Sequence, residues 1–66
     1  MTTESRARIV EAIIAVIADS GIERASVRAV AQRAGVSVGA VQHHFRTKDE
    51  MLEAAMELIS ANVTRS

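Results

Sequence analysis

Cysteine, proline, tryptophan and tyrosine are all missing from the 66 residues, and Phe45 is the sole aromatic side chain. Without cysteine there is neither a disulfide framework nor a thiolate zinc site, so nothing in the composition calls for an oxidising compartment. Without proline, no position is barred from a helix interior. Long apolar runs are missing too: the longest, Ala12 to Ala18, falls far short of the roughly 18 residues that suggest a membrane span. The first residues, Thr2, Thr3 and Glu4, are polar and do not look like a targeting segment. The chain therefore reads as soluble, untargeted and cytoplasmic. Length adds a further bound, because a domain this small buries only about 60% of the surface its unfolded form exposes. An enclosed catalytic cleft is not expected.

The net charge is zero, but the charges are unevenly spread. Eight Lys and Arg balance eight Asp and Glu. Residues 1–23 nevertheless sum to −2 and residues 49–66 to −3, whereas residues 24–48 hold Arg24, Arg28, Arg33, Arg46 and Lys48 with no acid, a sum of +5. A polyanion would be drawn to the middle third, although such a run can also be no more than a solvated face.

The apolar spacing is helical. Ile9, Val10, Ile13, Ile14, Val16 and Ile17 predict an amphipathic helix over about 4–20. If Gly21 takes the left-handed conformation after it, Ile17 and Ile22 fall where a Schellman ending brings two apolar side chains together. Ser26 is placed to cap a second helix, about 27–34, in which Val27, Val30, Ala31 and Ala34 follow at i, i+3, i+4 and i+7. Ser37 is placed to cap a third, about 38–45, holding Val38, Val41 and Phe45. An alternating strand over Val36 to Gln42 is the competing reading, and it lacks a partner strand. Thr47 and Glu50 have the spacing of a reciprocal capping box at the head of a fourth helix, about 48–62. That helix carries apolar residues over an arc of about 200°, twice what docking on one small core requires. The fold class is all-α, a small helical domain.

Val27 to Phe45, read as V-R-A-V-A-Q-R-A-G-V-S-V-G-A-V-Q-H-H-F, has the spacing of a helix-turn-helix. Ala31 is small where two helices approach closely, Gly35 supplies the positive φ of the turn, Val36 plugs the corner, and Val41 packs down from the second helix. With Val38 set at zero on the wheel of helix three, Val41 and Phe45 lie at about 300° and 340° and share its inward face with Val38. Gly39, Ala40 and His43 lie between about 100° and 200° and point outward. Two tiny residues beside a hydrogen-bonding ring can press close to base edges in a major groove, where alanine touches a thymine methyl and histidine bonds a guanine. Gln42 and His44 fall on the flanks, facing phosphates, and Gln42 reaches adenine if the helix tilts. Lys48 and the free N–H groups at the start of helix four act together on a phosphate oxygen.

Rival chemistries fare worse. His43 and His44 are adjacent and diverge by about 100°, whereas helix-borne metal pairs stand four residues apart, so no metal is expected. Ser37, His44 and Asp49 can be assembled on paper into a catalytic set, but with neither a nucleophile turn nor a pocket, so neither an enzyme nor a cofactor is expected.

The stretch SVRAVAQRAGVSVGAVQHHFRTKDEML, preceded by DSGIERA, resembles the N-terminal DNA-binding domain of the tetracycline-repressor (TetR) family. Gly35, Val36, Ser37, Gly39, His44, Phe45 and Lys48 match the family pattern, while Gln42 stands where the family has a tyrosine. With that tyrosine goes the aromatic backbone contact the resemblance would otherwise imply. The resemblance implies that Arg28, on a flank of helix two, reaches a groove or phosphate. With the caps Ser26 and Ser37, the candidate DNA-contact set is Ser26, Arg28, Ser37, Val38, Gly39, Ala40, Gln42, His43, His44 and Lys48. It further implies a ligand-released repressor: a homodimer on a palindromic double-stranded operator, with a second all-α domain that binds a small-molecule effector. That domain and the main dimer interface are expected C-terminal to Ser66, these 66 residues being part of a longer protein. The alternative is a helical protein-interaction module in which the helix-turn-helix is scaffold.

Overall fold

Repeated apolar positions along α1 (Thr3–Ser20) place Ile9, Val10, Ala12, Ile13 and Val16 in the core. In the computed structural model, which describes residues 3–65 and the side chains of residues 5–61, α1 packs against both α2 (Val27–Ala34) and α4 (Lys48–Arg65), and α2 packs against α3 (Val38–His44). The side chains of Glu4 and Arg65, counted in the charge segregation, lie outside the described residues. Among the described residues there is no strand, and the fold is all-α. No helix among them is long and apolar enough to cross a membrane.

The ends of the helices show which local signals operate. Gly21 has φ 90° and ψ 162°, a region open essentially to glycine alone. Its N–H donates to the Ile17 carbonyl at 2.9 Å. No Schellman ending forms there, because Gly21 is extended in ψ, and Ile22 is 52% exposed where it was expected to pack on Ile17. The chain instead winds into a 3-10 turn at Ile22–Arg24. The Schellman geometry occurs at the next helix end. Gly35 is left-handed at φ 72° and ψ 31°, its N–H donates to the Gln32 carbonyl at 3.3 Å, and the Val36 N–H donates to the Ala31 carbonyl at 3.0 Å. Val36 then packs against the core, completing the corner.

Both serine caps form: Ser26 Oγ accepts from the Ala29 N–H and Ser37 Oγ from the Ala40 N–H, each at 3.1 Å. Phe45 leaves the helical region at φ −135° and ψ 110°, so α3 ends at His44. Only half of the reciprocal box at α4 is present. Thr47 Oγ1 accepts from the Glu50 N–H at 3.2 Å, whereas the Glu50 carboxylate accepts from the Arg46 N–H at 3.3 Å rather than from Thr47.

Ile9, Ile13, Val30, Val41 and Met51 are wholly enclosed, and Ala31, Phe45, Ala54 and Ala55 join them. No charged or polar side chain is buried among the described residues. The small Ala31 and Ala55 fit where facing helices approach closely. Helix α4 turns Met51, Ala54 and Ala55 inward and leaves Met56, Leu58 and Ile59 at least 36% exposed, the excess apolar surface that its wide apolar arc predicts.

Candidate nucleic-acid interface

The two caps and the Gly35 corner hold α3 against α2, and packing then selects which side of α3 stays free. Val41 and Phe45 are enclosed. The third inward position is taken by His44, which is half-buried, and not by Val38, which is 40% exposed. With Val38 at zero, the inward face is centred near about 290°, between His44 at about 240° and Phe45 at about 340°. This corrects the expected face by about 40°, enough to exchange one residue at each edge. Gly39 and His43 now point most directly outward and are exposed. Gln42 is exposed on one flank, and Ala40 is half-buried on the other.

His44, expected on a phosphate-facing flank, is half-buried. Its Nε2 is enclosed without a hydrogen-bond partner, and its ring borders a recess lined also by Arg6, Phe45, Glu50, Glu53 and Glu57. Arg6 lies over the Phe45 ring, 5.2 Å from its centroid, a cation–π contact that ties α1 to the end of α3. Desolvation pushes the His44 imidazole below its ordinary pKa, and the nearby His43 and Arg6 push it the same way. The unfolded chain therefore binds more protons than the folded one between the ordinary value, about 6.5, and the lowered folded value. Stability from this residue is complete above that interval and is lost as pH falls through it. Denaturant midpoints measured across that interval should fall with pH, and His44→Gln should flatten the dependence. An equally steep fall in the variant would assign it to other groups.

The five cations of the middle third separate into different environments. Arg33 pairs with Asp19 of α1 through their half-exposed side chains, which removes it from the free field. Lys48 is half-buried, and its Nζ donates to the Glu23 carbonyl at 3.0 Å. This bond fastens the 3-10 turn to the head of α4 and leaves two ammonium protons available. Arg24, Arg28 and Arg46 are exposed, and no ion pair holds them among the described residues. Ser26 and Ser37 are also exposed, with their hydroxyl oxygens engaged as caps. Neither the Asp19–Arg33 pair nor the Lys48–Glu23 bond has a local sequence signal, since their partners lie 14 and 25 residues apart. The Arg6–Phe45 contact could have been suspected only as a lone aromatic near an α1 cation.

Comparison with known proteins shows the family. The family model described as bacterial regulatory proteins, tetR family, matches residues 9–55. The HTH-type transcriptional regulator PksA of Bacillus subtilis (strain 168) is 48% identical over 59 residues, covering 89% of this chain and 29% of that protein. The HTH-type transcriptional regulator BetI of Pectobacterium carotovorum subsp. carotovorum (strain PC1) is 41% identical over 58 residues, 88% of this chain and 30% of that protein. BetI of Proteus mirabilis (strain HI4320) is 41% identical over 59 residues, 89% of this chain and 30% of that protein. The chain thus spans less than a third of the length of these relatives. No solved structure matches it at a significant level. The matched span runs from Ile9 to Ala55, both wholly enclosed, and includes the corner at Gly35 and all of α3. The chain belongs to the TetR family of bacterial regulatory proteins and carries its helix-turn-helix.

Proposed function

We propose that this chain reads double-stranded DNA as the operator-binding part of a transcription regulator. Helix α3 lays its Gly39 and His43 side into the major groove. Gln42 and Ala40 border the contact, while Arg28, Lys48 and the neighbouring Arg24 and Arg46 engage the strands. The observation that carries this reading is the free side of α3, small at Gly39 and polar at His43, in a stretch, residues 24–48, that holds five cations and no acid, of which Arg24, Arg28 and Arg46 are exposed and in no ion pair among the described residues. Such a surface fits base edges closely and has charge available for phosphates. Lys48, held by the Glu23 carbonyl, is already ordered, so it loses less side-chain entropy on meeting a phosphate.

The regulator acts as a cytoplasmic repressor that a small-molecule effector releases. It works as a homodimer on a palindromic operator, with effector pocket and main dimer interface in a C-terminal all-α domain. The family membership supports this wider reading, and the names of the relatives support transcription regulation. A single domain then binds weakly, because pairing two half-sites multiplies affinity by a factor that can reach about 10²–10⁴. Selection of bound duplexes from a random pool, with two copies of the domain tethered together, should enrich a two-fold symmetric sequence. Recovery of no sequence above background would end the reading. The exposed Met56, Leu58 and Ile59 favour a second surface, for self-association, and sedimentation without DNA tests it: a monomer at all concentrations removes it.

A further inference from the structure

Neighbouring side chains on a helix diverge by about 100°, and the exposed His43 has no core around it to fix its ring. One neighbour meets it all the same. The His43 and His44 rings stand edge to face, with centroids 5.3 Å apart and planes at 86°, an arrangement that aromatic pairs prefer. His44 is in turn held in place. It is half-buried, its Nε2 is enclosed, and the Phe45 ring lies 6.1 Å from it, tilted by 45°. Phe45 is itself 3% exposed, with Arg6 over its ring. A chain of ring contacts thus runs from the core outward to His43.

The polar atom of His44 takes no part in that chain. Its Nε2 has no hydrogen-bond partner, a costly state for an enclosed nitrogen, and it can reach a phosphate only by leaving its enclosure. What His44 offers to its surroundings is the ring. An exposed imidazole free to turn must be ordered when it meets a base edge, and a contact that orders it beforehand removes that cost. We infer that His44 is a positioning residue: its ring, anchored beside Phe45, braces the His43 imidazole so that His43 meets a base edge in one orientation. The inference rests on the proposed DNA-reading function and adds to it the residue that aims the reading side chain. A phosphate contact acts on every duplex alike. A brace for His43 acts on the discrimination between sequences.

The test uses the 66-residue chain with His44→Phe, which keeps a ring without a polar atom, and His44→Gln, which keeps a polar atom without a ring. Each is made alone and together with His43→Ala. Affinities for a duplex recovered by selection and for one of scrambled sequence are read by fluorescence anisotropy, at a temperature where melting curves show every chain folded. Their ratio is the readout. His44→Gln should lower it by about 5-fold, within the range that an aromatic pair contributes, and His44→Phe should keep it within about twofold of the parent. Once His43 is alanine, neither substitution should change the ratio further. A ratio lost in His44→Phe overturns the inference, and if His44→Gln keeps it the nitrogen is itself the contact. A ratio unchanged in His44→Gln, or a loss that adds to that of His43→Ala, overturns it as well. Should His44→Phe fail to fold, His44→Gln with and without His43→Ala still decides. Failure to recover any duplex is the different result that removes the DNA-reading function and this inference together.

Discussion

Phe45→Ala should abolish cooperative folding at 25 °C. Phe45 is 3% exposed and stands where α3 ends, against the core that includes Ile9, Val41 and Met51. Truncating a buried phenylalanine costs about 3–5 kcal/mol, and a core of this size rarely supplies more than about 3–5 kcal/mol of net stability. The Arg6 cation over the ring is lost as well, a further contribution of about 0.5–1 kcal/mol at an exposed site. Thermal melting followed by far-ultraviolet circular dichroism should show a broad, non-cooperative loss of helix. Phe45→Leu keeps most of the volume and should retain a transition at lower temperature. A Phe45→Ala chain that melts like the parent would show that the end of α3 contributes nothing to the core.

Affinity for DNA should fall by about two orders of magnitude when salt rises from about 50 to 200 mM. Each phosphate neutralised by a cation contributes about −0.9 to the slope of log affinity against log salt. Arg24, Arg28, Arg46 and Lys48 remain available once Arg33 is paired with Asp19. Four contacts give a slope of about −3.6 for one domain, which over a fourfold change in salt is about a 150-fold loss. Lys48→Ala should make the slope shallower by about 0.9. Arg33→Ala should leave it unchanged, since that guanidinium faces a carboxylate on α1. A slope that responds to Arg33 and not to Lys48 would take Lys48 out of the contacts and put Arg33 among them.

What the sequence makes legible here is what neighbouring residues settle among themselves. Ser26 and Ser37 each cap the N–H three residues on, and Gly35 turns left-handed because a residue without Cβ does so at little cost. The family match runs over contiguous sequence, residues 9–55. Features fixed by distant chain were less visible. The inward face of α3 depends on Arg6 of α1 and on the α4 glutamates that border His44, so the local wheel chose Val38 where the packed structure takes His44. Gly21 resembled Gly35 in sequence, yet the 3-10 turn that follows it draws the chain into an extended ψ. The reach of Glu50 past Thr47 to the Arg46 N–H depends on one side-chain rotamer. Arg33 belonged to a basic run by position and to α1 by contact.

Amide chemical-shift mapping of the 66-residue chain during titration with a selected duplex tests the central claim most directly. The account predicts that the largest changes fall at Gly39, His43 and Lys48, with Arg28 and Gln42 next, and that the exposed apolar positions Met56 and Ile59 stay unperturbed. Changes confined to α4, with Gly39 and His43 silent, would contradict it.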